Sequence, residues 1–260
     1  MLPHLRGRPV TLIRYPNGVE DKHFYEKNSP SHRPDWVQVA PIHSGERAGI
    51  IDYTLVQDLP TLIWLSQLAA LELHPSLSLA AEIERPTVLA FDLDPGPPAT
   101  IVECCRVAVL LRKLFDGFGL RCFPKTSGSK GMQVYVPLNR ELTYETTKPY
   151  ARAVAQALEG AEPGLVVSRM TKSLRAGKVF VDWSQNTRSK TTVAPYSLRA
   201  RETPTASTPL LWEEVEEALD AEDSEMLRFE AGEVLDRVER LGDPFAPVLE
   251  LEQDLPEVLG

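Results

Sequence analysis

Three aspartates at the ends of apolar runs are the residues of this 260-residue sequence whose type and spacing could do chemistry. In "VLAFDLDPGP", residues 88–97, Asp92 and Asp94 stand one residue apart and the run stops at Pro95, Gly96 and Pro97. Side chains two apart on a strand share a face, so both carboxylates would meet at the strand's carboxyl end. "KVFVDWSQN", residues 178–186, repeats the pattern with Asp182. Carboxylates brought together repel unless a cation lies between them, and an oxygen-only ligand set suits Mg²⁺ or Mn²⁺. Two such ions form the clamp used in in-line phosphoryl or nucleotidyl transfer. Aspartates before Pro-Gly-Pro are also ordinary turn formers, so from residue type alone both readings stand.

Between these acids lies "KTSGSKGMQVYV", residues 125–136, rich in glycine amides and hydroxyls and carrying a lysine, as a triphosphate requires. The Walker spacing is absent, and a plain surface turn has the same composition. Further cations bracket the third acid: Lys172, Arg175 and Lys178 precede Asp182, and Arg199 and Arg201 follow on a segment where both would share one face. The order suggests a polyanion bound across metals. "FDLD" also opens phosphatases of the haloacid-dehalogenase type, but those want Thr or Val two residues after the second acid, where this chain has Gly96.

The elements that must hold these residues alternate in type. "RPVTLIRYP", "KHFYEK", "WVQVAPI" and "GIIDYTLV" have β-branched and aromatic content and are separated by turn residues, with a hairpin expected around Asn17-Gly18. Residues 59–72 and 99–119 have the spacing of helices, the second capped by Thr100 and stopped by Gly119. Residues 121–138 read as strand, turn, strand. A helix is expected from about Thr147, strands at "KVFVDWSQ" and "TVAPYSLRA", and helices at 212–220 and 224–241, followed by a Pro-punctuated extension. The fold class is therefore α/β, of α+β type, in one domain over 1–260: a β-rich part over 1–85, a catalytic core over 86–211 and an acidic helical segment over 212–260.

The net charge of −9 is unevenly spread: 17 acidic and 3 basic residues lie between Trp212 and Gly260, so the preceding body is mildly basic. The acidic tail reads as a solvated helical face. Cys104, Cys105 and Cys122 fit no paired ligand spacing and read as core thiols. No signal segment and no bilayer-spanning run is visible, no internal repeat is found, and the expected address is the cytoplasm, at the nucleoid.

Taken together, "GRPVTLIRYPNG", "FDLDPG", "TSGSKG", "MTKSLRAGKVFVDWSQN" and "SKTTVAPYSLR" resemble the primase-polymerase domain of bacterial DNA ligase D, in the archaeo-eukaryotic primase superfamily. The resemblance covers about four fifths of the chain. It implies a largely antiparallel catalytic sheet with flanking helices. It also implies templated addition of (ribo)nucleotides to a primer 3′-hydroxyl, in gap filling or end joining, with two divalent ions, usually Mn²⁺, and NTP or dNTP as substrate. Asp92, Asp94 and Asp182 would hold the metals. His74, Ser127, Lys130, Gln133, Lys172, Arg175, Gln185 and Arg199 would face the nucleotide. Arg14, Phe24, Tyr25 and Lys27 would face DNA, although core packing is the plainer reading of one of the two adjacent aromatics. Implied partners are primer-template DNA with gapped or broken ends, a separate DNA ligase and Ku, with no membrane. The alternative is a catalytically weakened DNA-binding or scaffolding module of the same fold.

Two departures from the family pattern stand out. The motif that ordinarily ends in histidine has Gln133, which can hydrogen-bond but cannot carry positive charge or shuttle a proton, and activity is expected to survive because the metals supply most of the charge stabilisation. The family's 5′-phosphate-gripping segment, with its asparagine and lysine, would end upstream of "MLPHLRGRP". A chain without it is expected to act as a stand-alone polymerase for gaps, priming or tolerance.

Overall fold

A computed structural model describes residues 1–43 and 49–256, so the last four residues of the expected tail lie outside the described residues. The N-terminal part opens with a one-turn helix α1 (Leu2–Leu5) and builds an antiparallel sheet from β1 (Pro9–Arg14), β2 (Phe24–Glu26), β3 (Val39–His43) and β4 (Ile50–Leu55). β1 and β2 form the expected hairpin, with Gly18 in the left-handed region at φ +96. Helix α2 (Leu59–Gln67) starts at Asp58, whose carboxylate accepts from the Thr61 amide. It stops earlier than its apolar spacing predicts. Ala69 takes a positive φ, the chain reverses, and β5 (Ala70–Pro75) lies along the whole of β1. His74 thus sits on a strand.

The second sheet carries the aspartates. β6 (Val88–Pro95) is its centre, α3 (Ile101–Gly117) follows, then the hairpin β7 (Phe123–Thr126) and β8 (Met132–Pro137). After α4 (Tyr144–Ala161) come β9 (Val166–Val167) and β10 (Val179–Asp182). The order is β7-β8-β6-β10-β9, antiparallel except for the last pair. Alternation explains its two faces. Leu89, Phe91, Leu93, Met132, Val134, Val179 and Val181 pack against the apolar stripes of α3 and α4, with Cys104 and Cys105 buried among them. The opposite face is apolar at one end, where Val88, Ala90 and Tyr135 meet Phe245, and polar at the other.

Helix α3 has the expected cap, a reciprocal pairing of Thr100 with Glu103. Helix α4 begins at Tyr144, ahead of the expected start. Pro149 is tolerated inside it because the carbonyl it leaves unpaired, that of Glu145 one turn earlier, is on the solvent face. The "TVAPYSLRA" stretch is a strand only at β11 (Leu198–Arg199), paired with β12 (Thr205–Ala206); before it the chain bonds to β5 at intervals, from Thr192 and Ala194. The tail holds α5 (Trp212–Ala221) and α6 (Ala231–Leu241), with a 3₁₀ turn at Ser224–Leu227 where one long helix was expected. Leu227 is buried and the Phe229 carbonyl is taken by Ala206, which pulls the chain out of helical geometry. The acidic side chains face solvent or pair with arginines, as in Arg112–Glu216 and Arg237–Glu214. No described helix is long and apolar enough to cross a membrane.

Candidate active site

One row of side chains crosses four strands of the second sheet at a single level. Lys125 on β7 pairs with Gln133 on β8, Gln133 with Asp92 on β6, and Asp92 with Asp182 on β10. Directly paired antiparallel residues have Cα atoms about 4.5–5.5 Å apart, so residues 90 positions apart in sequence become neighbours. Asp94 stands on the same face, opposite Phe180.

The site's electrostatics follow from this convergence. Burial, then the charge of Asp94, pushes the Asp92 carboxyl well above the ordinary carboxylate range. Asp94 is likewise raised, by burial and by Asp182, while Lys130, Arg175 and Arg199 pull it down. Gln133 Nε2 donates to Asp92 Oδ1 at 3.1 Å, which favours the charged form. Asp182 is held by its own turn: Oδ1 accepts from the Ser184 amide at 2.9 Å and its hydroxyl at 2.6 Å, and Oδ2 from Gln185 at 2.9 Å. No three His, Cys, Asp or Glu side chains among the described residues are gathered as a metal cage. The donor set still fits a divalent cation: oxygen-only, on one face of adjacent strands, and mutually repelling until a positive charge is supplied.

A cavity of about 260 Å³ opens over this row and is lined by His74, Asp92, Asp94, Ser127, Lys130, Gln133, Gln185 and Arg199. The structure thereby brings together eight of the residues singled out in the sequence. The glycine-rich turn is built for close approach. Gly128 lies at φ +65, and a Cβ there would stand 2.7 Å from the Ala206 carbonyl carbon. Ser127 Oγ accepts from the Ser129 and Gly131 amides, which closes the turn, and Lys130 is exposed at its tip. Gly96 answers the stop after Asp94: its Cβ would fall 1.9 Å from the Arg175 carbonyl oxygen, so only glycine lets the two segments cross.

Other expected residues sit outside the cavity. Arg175 stacks its guanidinium 3.7 Å from the Phe180 ring centroid and donates to the Met170 carbonyl, and Lys172 is exposed in a 3₁₀ turn. Lys178 donates to the Pro163 carbonyl, away from the acids. Arg201 hydrogen-bonds Ser129. On the first sheet, Arg14 is engaged with Glu26 at 3.1 Å and the Leu68 carbonyl at 2.9 Å, which ties β1 to β2 instead of leaving its charge free in a groove. Phe24 and Tyr25 are 55% and 70% exposed, so neither packs in a core, and Lys27 is exposed beside them.

Sequence reasoning missed three residues. Lys125 is fully buried, donates to Ser207 Oγ at 2.7 Å, and is lowered by burial to about 7, a fall that the charge of Asp92 limits. Its signal was a lysine on the same strand face as the polar row, in a strand otherwise buried. Asn186 is fully buried and pairs both ways with the Ala90 backbone, at 2.9 and 2.8 Å, which locks the turn after Asp182 onto β6. Glu72, buried on β5, falls in sequence at the end of the run with helical spacing; apart from His74 on its own strand, its partners come from two other segments, Tyr15 and Arg199–Ala200.

Comparison with known proteins gives one answer. The sequence matches the family described as LigD, primase-polymerase domain, over residues 1–245. It is 43% identical over 258 residues to the multifunctional non-homologous end joining protein LigD of Mycolicibacterium smegmatis, which covers 98% of this chain and 32% of that protein. It is 35% identical over 257 residues to the bifunctional non-homologous end joining protein LigD of Bacillus subtilis, of which it spans 40%. The fold superposes on the polymerase domain from Mycobacterium tuberculosis ligase D, solved in complex with DNA, with a TM-score of 0.87 at 41% identity, covering 97% of this chain and 88% of that one. The chain belongs to the LigD primase-polymerase domain family, a family of DNA-directed nucleotidyltransferases.

Proposed function

We propose that this chain adds nucleotides, ribo- or deoxyribo-, to the 3′-hydroxyl of a DNA primer in gap filling or end joining, with Asp92, Asp94 and Asp182 as its metal ligands. The observation that carries the reading is the strand register that makes Asp182 the neighbour of Asp92 and gives Asp94 the same face. The three carboxylates would hold two divalent ions, Mn²⁺ by preference, which supply Lewis-acid stabilisation of the transferring phosphate and lower the pKa of the attacking hydroxyl. Ser127, Lys130 and Arg199 line the side of the cavity where hydroxyl and cationic donors suit a triphosphate. His74 and Gln185 also line the cavity, where they would meet the rest of the nucleotide. Gln133, at the position where the family ordinarily has a histidine, donates to Asp92 and so orients that carboxylate beside the nucleotide.

Phe24 and Tyr25 offer exposed rings on which bases stack without sequence preference, as a templated polymerase needs, and Lys27 adds a cation for backbone phosphate. That a relative of the same fold was solved in complex with DNA supports a DNA substrate for this chain. A separate DNA ligase and Ku are the partners that a role in end joining implies, with action at the nucleoid. A scaffolding role gives no reason to keep three repelling acids on one sheet face. The test is extension of a gapped duplex with ribo- and deoxyribonucleotides under Mn²⁺ or Mg²⁺. The natural chain extends the primer, and Asp92→Ala/Asp94→Ala abolishes extension; equal extension by both would overturn the reading.

A further inference from the structure

Glu72 lies behind two of the cavity's lining residues, His74 and Arg199, and has no part in the metal face; its surroundings are unusual. It projects from β5 and is 4% exposed. Its Oε2 lies 3.1 Å from His74 Nε2 and 3.1 Å from Arg199 Nε. Its Oε1 accepts from the Tyr15 hydroxyl at 3.1 Å and from the Ala200 amide at 3.1 Å. Burial alone would raise this carboxyl; the His74 hydrogen bond, the Arg199 charge and the Ala200 amide overcome it and hold it at about 2. A carboxylate with four partners, Tyr15 just after β1, His74 on β5, Arg199 on β11 and Ala200 just after it, is fixed, and it fixes them in turn.

The consequences for the two cavity residues are specific. Burial pushes the His74 imidazole below its ordinary value, against the pull of the Glu72 bond. A neutral imidazole facing a carboxylate through Nε2 carries its proton there, which leaves Nδ1 as an acceptor only. Arg199 donates through Nη1 to the Ser127 carbonyl at 3.0 Å, and its Nε makes an ion-pair contact with Glu72 without hydrogen-bond alignment. The guanidinium is thus clamped along one edge with the rest of its fork unspent. On the other side, Tyr15 stacks on His23 at 5.4 Å, and His23 meets Tyr25 at 5.4 Å, so the same carboxylate is joined to the exposed aromatic hairpin.

We propose that Glu72 is a positioning residue: it holds Arg199 and His74 in register for the incoming nucleotide and links them through Tyr15 to the hairpin bearing Phe24 and Tyr25. This rests on the reading of the cavity as a nucleotide site. Glu72 touches neither the transferring phosphate nor the metal face, so its loss acts on nucleotide binding more than on the chemical step.

The test compares the natural chain with Glu72→Gln on a gapped duplex, measuring kcat and nucleotide KM under Mn²⁺, and separately the Kd of a fluorescent nucleoside triphosphate. The expected result is a rise in KM and Kd of about tenfold or more, the scale of a lost charge-assisted hydrogen bond, with kcat changed less than about threefold. Glu72→Asp, which keeps the charge on a shorter arm, is expected to fall between the two and covers the case in which the glutamine variant folds poorly. In a chain already carrying Arg199→Gln and His74→Ala, adding Glu72→Gln is expected to change Kd by less than about twofold, because the groups it positions are gone. An unchanged Kd in both single variants, a fall in kcat alone, or a full additional loss in the double-variant background would overturn the proposal. If the natural chain itself neither binds nor incorporates nucleotide, the functional reading fails instead; if it does both and Glu72→Gln is silent, only this inference fails.

Discussion

Asp92→Asn should make the metal-free protein more stable while abolishing polymerisation. The folded state holds the Asp92 carboxyl far above its ordinary 3.8, near 7, through burial first and the charge of Asp94 second. An acid whose folded value is raised costs stability wherever it must ionise: the cost is absent below the unfolded value, grows as pH rises through the folded one, and is complete above it. A rise of that size would cost roughly 4 kcal/mol at pH 8 if fully expressed. Part of the side chain still meets solvent and Asp94 shares the titration, so about 1–2 kcal/mol is the expected gain on replacement. For a chain of this length that is about 2–8 °C in Tm. Asparagine keeps an oxygen to accept from Gln133, so no bond is lost along with the charge. The assay is thermal unfolding with EDTA at pH 8 and again at pH 5, where the natural carboxyl is protonated and the advantage should shrink. Adding Mn²⁺ should reverse the order, since the ion stabilises the natural chain and much less the variant. A variant less stable than the natural chain in EDTA at pH 8, or an advantage that is the same at both pH values, would refute the reasoning.

Three further outcomes follow from other parts of the molecule. Phe24→Ala and Tyr25→Ala should each weaken primer-template binding by about 1–3 kcal/mol, the value of one stacked base, while leaving Tm nearly unchanged because both rings are exposed; titration of labelled gapped DNA checks it, and unaltered affinity would remove the hairpin from the DNA path. Asp243 accepts from His4, Tyr196 and the Phe245 amide and, against its burial, is held down at about 2, so it ties α1 to the segment after α6. That depressed value contributes about 1–2 kcal/mol of stability that is complete above about pH 4 and lost as pH falls toward 2, and Asp243→Asn should remove it in pH-dependent melts. Gln133→His should change Mn²⁺-dependent incorporation by less than about tenfold, because the ions carry most of the transition-state charge; a histidine variant that polymerises while the natural chain is inert would show that Gln133 had disabled the site.

Much of the site was legible because it obeys the two-residue period of strands. Asp92, Asp94 and Asp182 each end an apolar run, and the turn at Ser127–Lys130 is marked by its own glycines. The capped start of α3 was equally local, written in Thr100 and Glu103. What stayed hidden depends on partners far away in sequence. The end of α2 looks helical by spacing, and only the pairing of β5 along β1 explains why Ala69 turns the chain there. The break before α6 is set by Ala206 and the burial of Leu227, neither visible from residues 224–241 alone. Lys125 and Glu72 are buried charges, and a charge in an otherwise apolar or amphipathic run cannot be told from a surface residue until Ser207, His74, Arg199 and Tyr15 are seen around it. Arg14 shows another hidden partner: the cation expected in a groove is paired with Glu26, which only the β1–β2 register reveals.

The convergence of three acids on a pair of cations is tested most directly by diffraction from crystals grown with Mn²⁺ and a non-hydrolysable nucleoside triphosphate, using the anomalous signal of manganese. The account predicts two peaks about 3.5–4 Å apart, as in two-metal sites, with Asp92 and Asp94 touching both and Asp182 released from Ser184 and Gln185 to ligate one. Manganese bound elsewhere, or an Asp182 carboxylate still folded onto its own turn in the loaded complex, would contradict it.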